Sequence, residues 1–97
     1  MKKAYILIYN DIVGTRAQVK EYVDSMSEVW TWRYDMPHVF YIISTYSAEK
    51  LTDAFRKKTG DKGRFMFSEV NDNYQGLMLE ETWYLLNNKH NKPKKEE

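Results

Sequence analysis

The run Ala4-Tyr5-Ile6-Leu7-Ile8-Tyr9-Asn10-Asp11 constrains the fold of this chain more than any other segment. Six apolar or aromatic side chains in succession fit a buried strand. Asn10 and Asp11 then end it abruptly, and an amphipathic helix opens almost at once, at Thr15. A strand followed so closely by a helix belongs to a layered architecture of sheet and helices. A strand tip that carries a carboxylate beside a helix start is also a common place for a site.

The rest of the chain continues the alternation. Thr15 and Gln18 have capping-box spacing. Val19, Tyr22, Val23 and Met26 recur at i, i+3, i+4 and i+7, which predicts a helix over 15–27. Val29 to Tyr34 predicts a second strand, with Trp30, Trp32 and Tyr34 on one side. Asp35-Met36-Pro37-His38 predicts a turn, because Pro37 lacks the donor that a central strand needs. Val39 to Thr45 is a continuous β-branched and apolar run, which fits a central strand. Ser47 caps a helix over 48–58 that carries Ala48, Leu51, Ala54 and Phe55 on one face and stops at Gly60. Asp61-Lys62-Gly63 turns into a fourth strand, Arg64 to Val70. Leu77 to Asn87 can wind a third helix that buries Leu79, Trp83 and Leu86.

The order strand-helix-strand-strand-helix-strand predicts an α+β, ferredoxin-like βαββαβ sandwich with a four-stranded antiparallel sheet and an extra C-terminal helix. Residues 1–87 form a single domain in this reading. Residues 88–97 hold no large apolar side chain and are expected to form a disordered charged tail. The two helices cover one face of the sheet only. The other face needs a cover from the third helix, a second subunit or a flat ligand. Tyr5, Tyr9, Trp30, Trp32, Tyr34 and Trp83 are the candidate interface residues, and their number predicts a homodimer.

Composition excludes several classes. Ninety-seven residues leave little room for a second domain. The formal net charge of +1, from 15 Lys+Arg and 14 Asp+Glu, supplies no large field of one sign. Without cysteine there is no disulfide, thiolate zinc site or cysteine nucleophile. The apolar runs are strand-sized, so no membrane span is expected. The basic start Met1-Lys2-Lys3 lacks the long apolar region of a signal peptide, and a cytoplasmic location is expected.

The strand ending Ile8-Tyr9-Asn10-Asp11-Ile12, followed by Arg16 and a helix, resembles the opening of the small dimeric CRISPR-associated proteins that accompany the integrase. Trp30, Val39 to Ser44, Ala48 to Arg56, Asp61 to Val70 and Tyr74-Gln75-Gly76-Leu77 resemble their uncharacterised SinR-like relatives. The resemblance spans residues 3–86. It implies a ferredoxin-like dimer associated with nucleic acid, and a metal-binding aspartate at Asp11. One departure stands out: Asn10 separates the tyrosine from the aspartate.

In that reading Asp11 is the candidate Mg²⁺ ligand, and two copies in a twofold dimer could share one cation. Arg16, Lys20 and Arg33 are the candidate phosphate or nucleic-acid contacts. The alternative makes Asn10 and Asp11 simple turn formers and Arg16 a solvated residue. His38 and His90 have no partner evident in the sequence. Lys62-Gly63-Arg64-Phe65-Met66-Phe67 faintly resembles a signature of RNA-recognition modules, but sits on the wrong strand and reads more simply as a turn entering an edge strand. Three functions remain open at this point. One is a nucleic-acid-associated binding or assembly factor without robust catalysis. The others are a protein-interaction module, such as a toxin–antitoxin component or an inhibitor of a larger machine, and a Mg²⁺-dependent nuclease that uses Asp11.

Overall fold

Strand alternation decides which side chains meet the helices. In the computed structural model, which describes residues 1–93, the elements are β1 (Lys3–Tyr9), α1 (Arg16–Asp24), β2 (Thr31–Met36), β3 (Val39–Ser44), α2 (Ala48–Thr59), β4 (Phe65–Glu69) and α3 (Glu80–Asn88). The strands pair antiparallel in the order β2-β3-β1-β4. This is the expected ferredoxin-like α+β fold with an added C-terminal helix.

Local chemistry sets the helix limits. The Thr15 side chain accepts from the Gln18 backbone and the Gln18 side chain accepts from the Thr15 backbone, closing a capping box on α1. The Ser47 hydroxyl caps α2 by accepting from Lys50 N–H, and Gly60 ends it in a left-handed conformation at φ 67°. The odd-numbered β1 residues Tyr5, Leu7 and Tyr9 face α1 and α2, where they pack with Val19, Val23, Phe40, Ile42, Leu51, Phe55 and Phe67. The even-numbered residues face the other way. There Ala4 joins Tyr41, Ile43, Leu85 and Leu86 in a second cluster, with Ile6 beside it. Helix α3 therefore covers part of the face that the first two helices leave open, over Ala4, Tyr41 and Ile43.

This arrangement corrects the expected interface. Tyr5 and Tyr9 are only 1% and 4% exposed, because they are core residues beneath α1 and α2. Trp83 stacks on Tyr74, with ring centroids 5.9 Å apart and planes at 11°, inside the layer that holds α3. The surplus of aromatic rings is thus absorbed largely within one chain. Strand β2 also runs later than expected. A β-bulge between Tyr34 and Met36 carries the strand through Asp35, and the turn shrinks to Pro37-His38. Nor does the chain leave the domain at Asn88. Asn91 Nδ2 donates to Thr31 Oγ1 at 2.5 Å, and Lys92 pairs with Glu80. The expected tail residues 94–97 lie outside the described residues. Among the described residues, no helix is long and apolar enough to cross a membrane.

Burial of phenols makes the fold sensitive to alkali. Burial pushes the Tyr5, Tyr9 and Tyr41 hydroxyls above their ordinary pKa of 10.0. In the unfolded chain they ionise near that ordinary value. Their contribution to stability is therefore full below about pH 10 and is lost as pH rises through the higher folded values. Tyrosinate absorbance and far-ultraviolet circular dichroism are expected to change together above that pH. Normal titration of every tyrosine in a chain that keeps its circular dichroism would refute this.

Candidate nucleic-acid interface at the strand tip

The tip of β1 is tied down by the residue that interrupts the tyrosine–aspartate pair. Asn10 N–H donates to the Arg64 carbonyl at 3.0 Å, and Arg64 N–H donates back to Asn10 Oδ1 at 3.1 Å. The Asn10 carbonyl also accepts from Val13 N–H at 3.1 Å. Gly63 sits against this knot at φ 72°, where an added Cβ would lie 2.6 Å from Val13 N and 2.7 Å from Asn10 Oδ1. Only glycine fits there. Asn10 thus joins the β1 tip to the turn that enters β4, and the chain beyond it displays Asp11 to solvent.

The β2–β3 turn lies at the same end of the sheet. Its His38 is held at φ 65°, a left-handed conformation that histidine tolerates better than most residues. His38 Nε2 meets Asp11 Oδ1 in a hydrogen-bonded pair, with both side chains largely open to water. The His38 ring also lies 5.5 Å from that of Tyr9. Burial raises the Tyr9 pKa, and the smaller opposing effects of Arg16 and Asp11 place both charges close to its phenol. The sequence reading missed His38. Its signal was topological: β1 runs antiparallel to β3, so the end of β1 must meet the turn that starts β3.

Along the flank of α1, Arg16 places its guanidinium 4.4 Å above the Tyr34 ring. Tyr34 lies beside Trp32, with centroids 6.0 Å apart and planes at 15°. Trp32 Nε1–H donates to Asp24 Oδ1 at 2.8 Å, which fixes the indole. Lys20, one helical turn after Arg16, is exposed on the same helix. The result is a short ladder of one cation and two parallel rings, with a second cation alongside.

The structure does not bring Arg33 to this ladder. Arg33 lies on the opposite face of β2, where its Nε–H donates to Thr82 Oγ1 at 2.8 Å. It belongs to the seat of α3, because alternation turns it away from Trp32 and Tyr34. Trp30 remains exposed, with Lys2 Nζ 3.9 Å from its ring centroid.

Asp11 offers the tip a single carboxylate and faces an imidazole. Mg²⁺ held there would take its remaining oxygen ligands from water or phosphate. No group of three or more His, Asp or Glu side chains that could hold a metal ion occurs among the described residues. No known protein-family model, curated protein or solved structure matches this chain.

Proposed function

We propose that this chain is a nucleic-acid-associated binding factor without robust catalysis, and that single-stranded nucleic acid lies along the α1–β2 flank. The observation that carries the reading is the Arg16–Tyr34–Trp32 ladder. Exposed aromatic faces accept bases of any sequence, and cations at their margin hold the backbone. Arg16 and Lys20 supply phosphate contacts, Tyr34 and the half-buried Trp32 supply stacking surface, and His38 extends the row of polar groups at the tip. The resemblance to small CRISPR-associated proteins points to the same ligand class.

Fluorescence anisotropy with short labelled oligonucleotides, measured at two salt concentrations, tests this. Binding is expected to weaken as salt rises, because phosphate contacts release counterions. Tyr34→Ala is expected to weaken binding roughly tenfold, the scale of one lost base–aromatic stack. Arg16→Ala is expected to weaken it and to flatten the salt dependence. Absence of binding at low salt, or binding that ignores both substitutions, would refute the assignment.

A second reading, a protein-interaction module, is favoured by one observation. Met36, Val39, Ile8 and Met66 align in one row across all four strands, on the α3 side of the sheet. Three of them, Met36, Ile8 and Met66, are 43%, 46% and 56% exposed. A partner held there would bind with little dependence on salt, which separates the two readings.

A further inference from the structure

We propose that the outer edge of β4 receives a second copy of this chain, joining the two sheets through antiparallel β4–β4 pairing centred on Phe67. This inference is independent of the nucleic-acid reading. It starts from the backbone. Asn10 N–H bonds the Arg64 carbonyl and Val70 N–H bonds the Ala4 carbonyl, so the even-numbered residues of this stretch turn their polar groups toward β1. In an antiparallel ladder the groups alternate. Phe65, Phe67 and Glu69 therefore direct their N–H and C=O groups outward, and among the described residues no strand pairs with them.

The two edges of the sheet are built differently. Edge strand β2 carries Arg33 and Asp35 and a bulge, and Pro37 follows its last residue. Asn91 and α3 also lie against it. These are the usual devices that block strand addition. Edge strand β4 has an unbroken register with β1, and Phe65-Met66-Phe67-Ser68 contains no charge and no proline. Such an edge is a template for another strand.

The charges of α2 argue that the added strand is β4 of another copy. Helix α2 has Glu49 in its first turn and Arg56, Lys57 and Lys58 in its last. It packs against β4, and Thr52, Arg56, Arg64 and Phe65 line the groove between them. A twofold axis through Phe67 runs the two α2 helices antiparallel. The acidic start of one then faces the basic end of the other. In the same register Glu69 falls opposite Phe65 of the second copy and arrives beside its Arg56. Three pairings, Phe65 with Glu69, Phe67 with Phe67 and Glu69 with Phe65, use every outward backbone group of the strand. The same axis sends the two β1 tips to opposite ends of the joined sheet, roughly 20 Å or more apart at about 3.3 Å per residue. Two Asp11 carboxylates then cannot share one cation.

The test uses the full chain without nucleic acid. Sedimentation velocity is expected to report twice the 11.7 kDa chain mass at high micromolar concentration. Amide exchange is expected to show Phe65, Phe67 and Glu69 protected as well as Met66 and Ser68. Glu69→Pro deletes an outward donor and leaves the β1 ladder intact, so it should weaken association at least tenfold with unchanged circular dichroism. A monomer at every concentration overturns the proposal. So does a dimer whose Phe65, Phe67 and Glu69 amides exchange freely, or one that a folded Glu69→Pro chain still forms. Should Glu69→Pro fail to fold, exchange in the parent dimer decides between the two results.

Discussion

Val23→Asp is expected to leave most of the chain unfolded at room temperature. Val23 is completely buried and packs within the cluster formed by Tyr5, Leu7, Val19, Leu51 and Phe55. Helix α1 is nine residues long and buries only Val19 and Val23. A carboxylate at position 23 would have no partner, so it must either be desolvated in its charged form or bind a proton. Either route costs several kcal/mol, in addition to the lost apolar contact. A domain of this size has a total stability of about 5–15 kcal/mol, so a loss on this scale takes most or all of it. Lys20→Asp, on the exposed side of the same helix, should change the melting temperature little. Thermal melting followed by circular dichroism reads both variants. If Val23→Asp melted within a few degrees of the parent, α1 would not be packed as described.

The parts of the fold that were legible beforehand depend on neighbours within a few residues. Thr15 with Gln18, Ser47 with Lys50, and Gly60 each act within one helical turn, and all three helix ends appear where local chemistry puts them. Strand alternation was equally legible, but it assigns two faces without saying which one the helices take. That missing bit of information placed Tyr5 and Tyr9 on an interface when they line the core. It also placed Arg33 with the phosphate contacts when it lies under α3. The bulge in β2 was not legible, because Asp35-Met36-Pro37 carries the ordinary signature of a turn. The bond from Leu79 N–H to Asp35, 44 residues away in sequence, was hidden for the same reason.

The candidate site shows the same division. Asp11 at a strand tip and Arg16 at a helix start could be picked out, because chain position alone marks them. The pairing of Asp11 with His38 spans 27 residues and exists only once β1 and β3 are antiparallel. The placing of Arg16 over Tyr34 likewise needs α1 to lie along β2. What a sequence hides is which polar residues the topology gathers, and these are the residues that decide between a metal site and a nucleic-acid surface.

Asp35→Ala is expected to release α3 while the sheet and the first two helices stay folded. The α3 N-cap residue is Leu79, which has no side-chain oxygen to offer the first turn. Asp35, two residues after Arg33 and on the same face of β2, supplies an acceptor there. Its Oδ2 accepts from Leu79 N–H at 3.0 Å and from Thr82 Oγ1–H at 2.8 Å. Thr82 is completely buried, and its hydroxyl accepts in turn from Arg33 Nε–H. Hydrogen bonds to a charged group contribute about 1.5–3 kcal/mol each, and the substitution also strands a buried hydroxyl donor. A nine-residue helix has little stability of its own in water, so its docking decides whether it forms. The loss should therefore appear locally. The α3 amides and the Trp83 environment should change, and Ala4, Tyr41 and Ile43 should become accessible, while β1 and β3 keep their slow amides. Asp35→Asn retains an acceptor and should recover part of the protection. Amide exchange resolved by residue distinguishes these outcomes. If α3 stayed as protected in Asp35→Ala as in the parent, docking of Leu85 and Leu86 alone would hold the helix, and Asp35 would have no stabilising role.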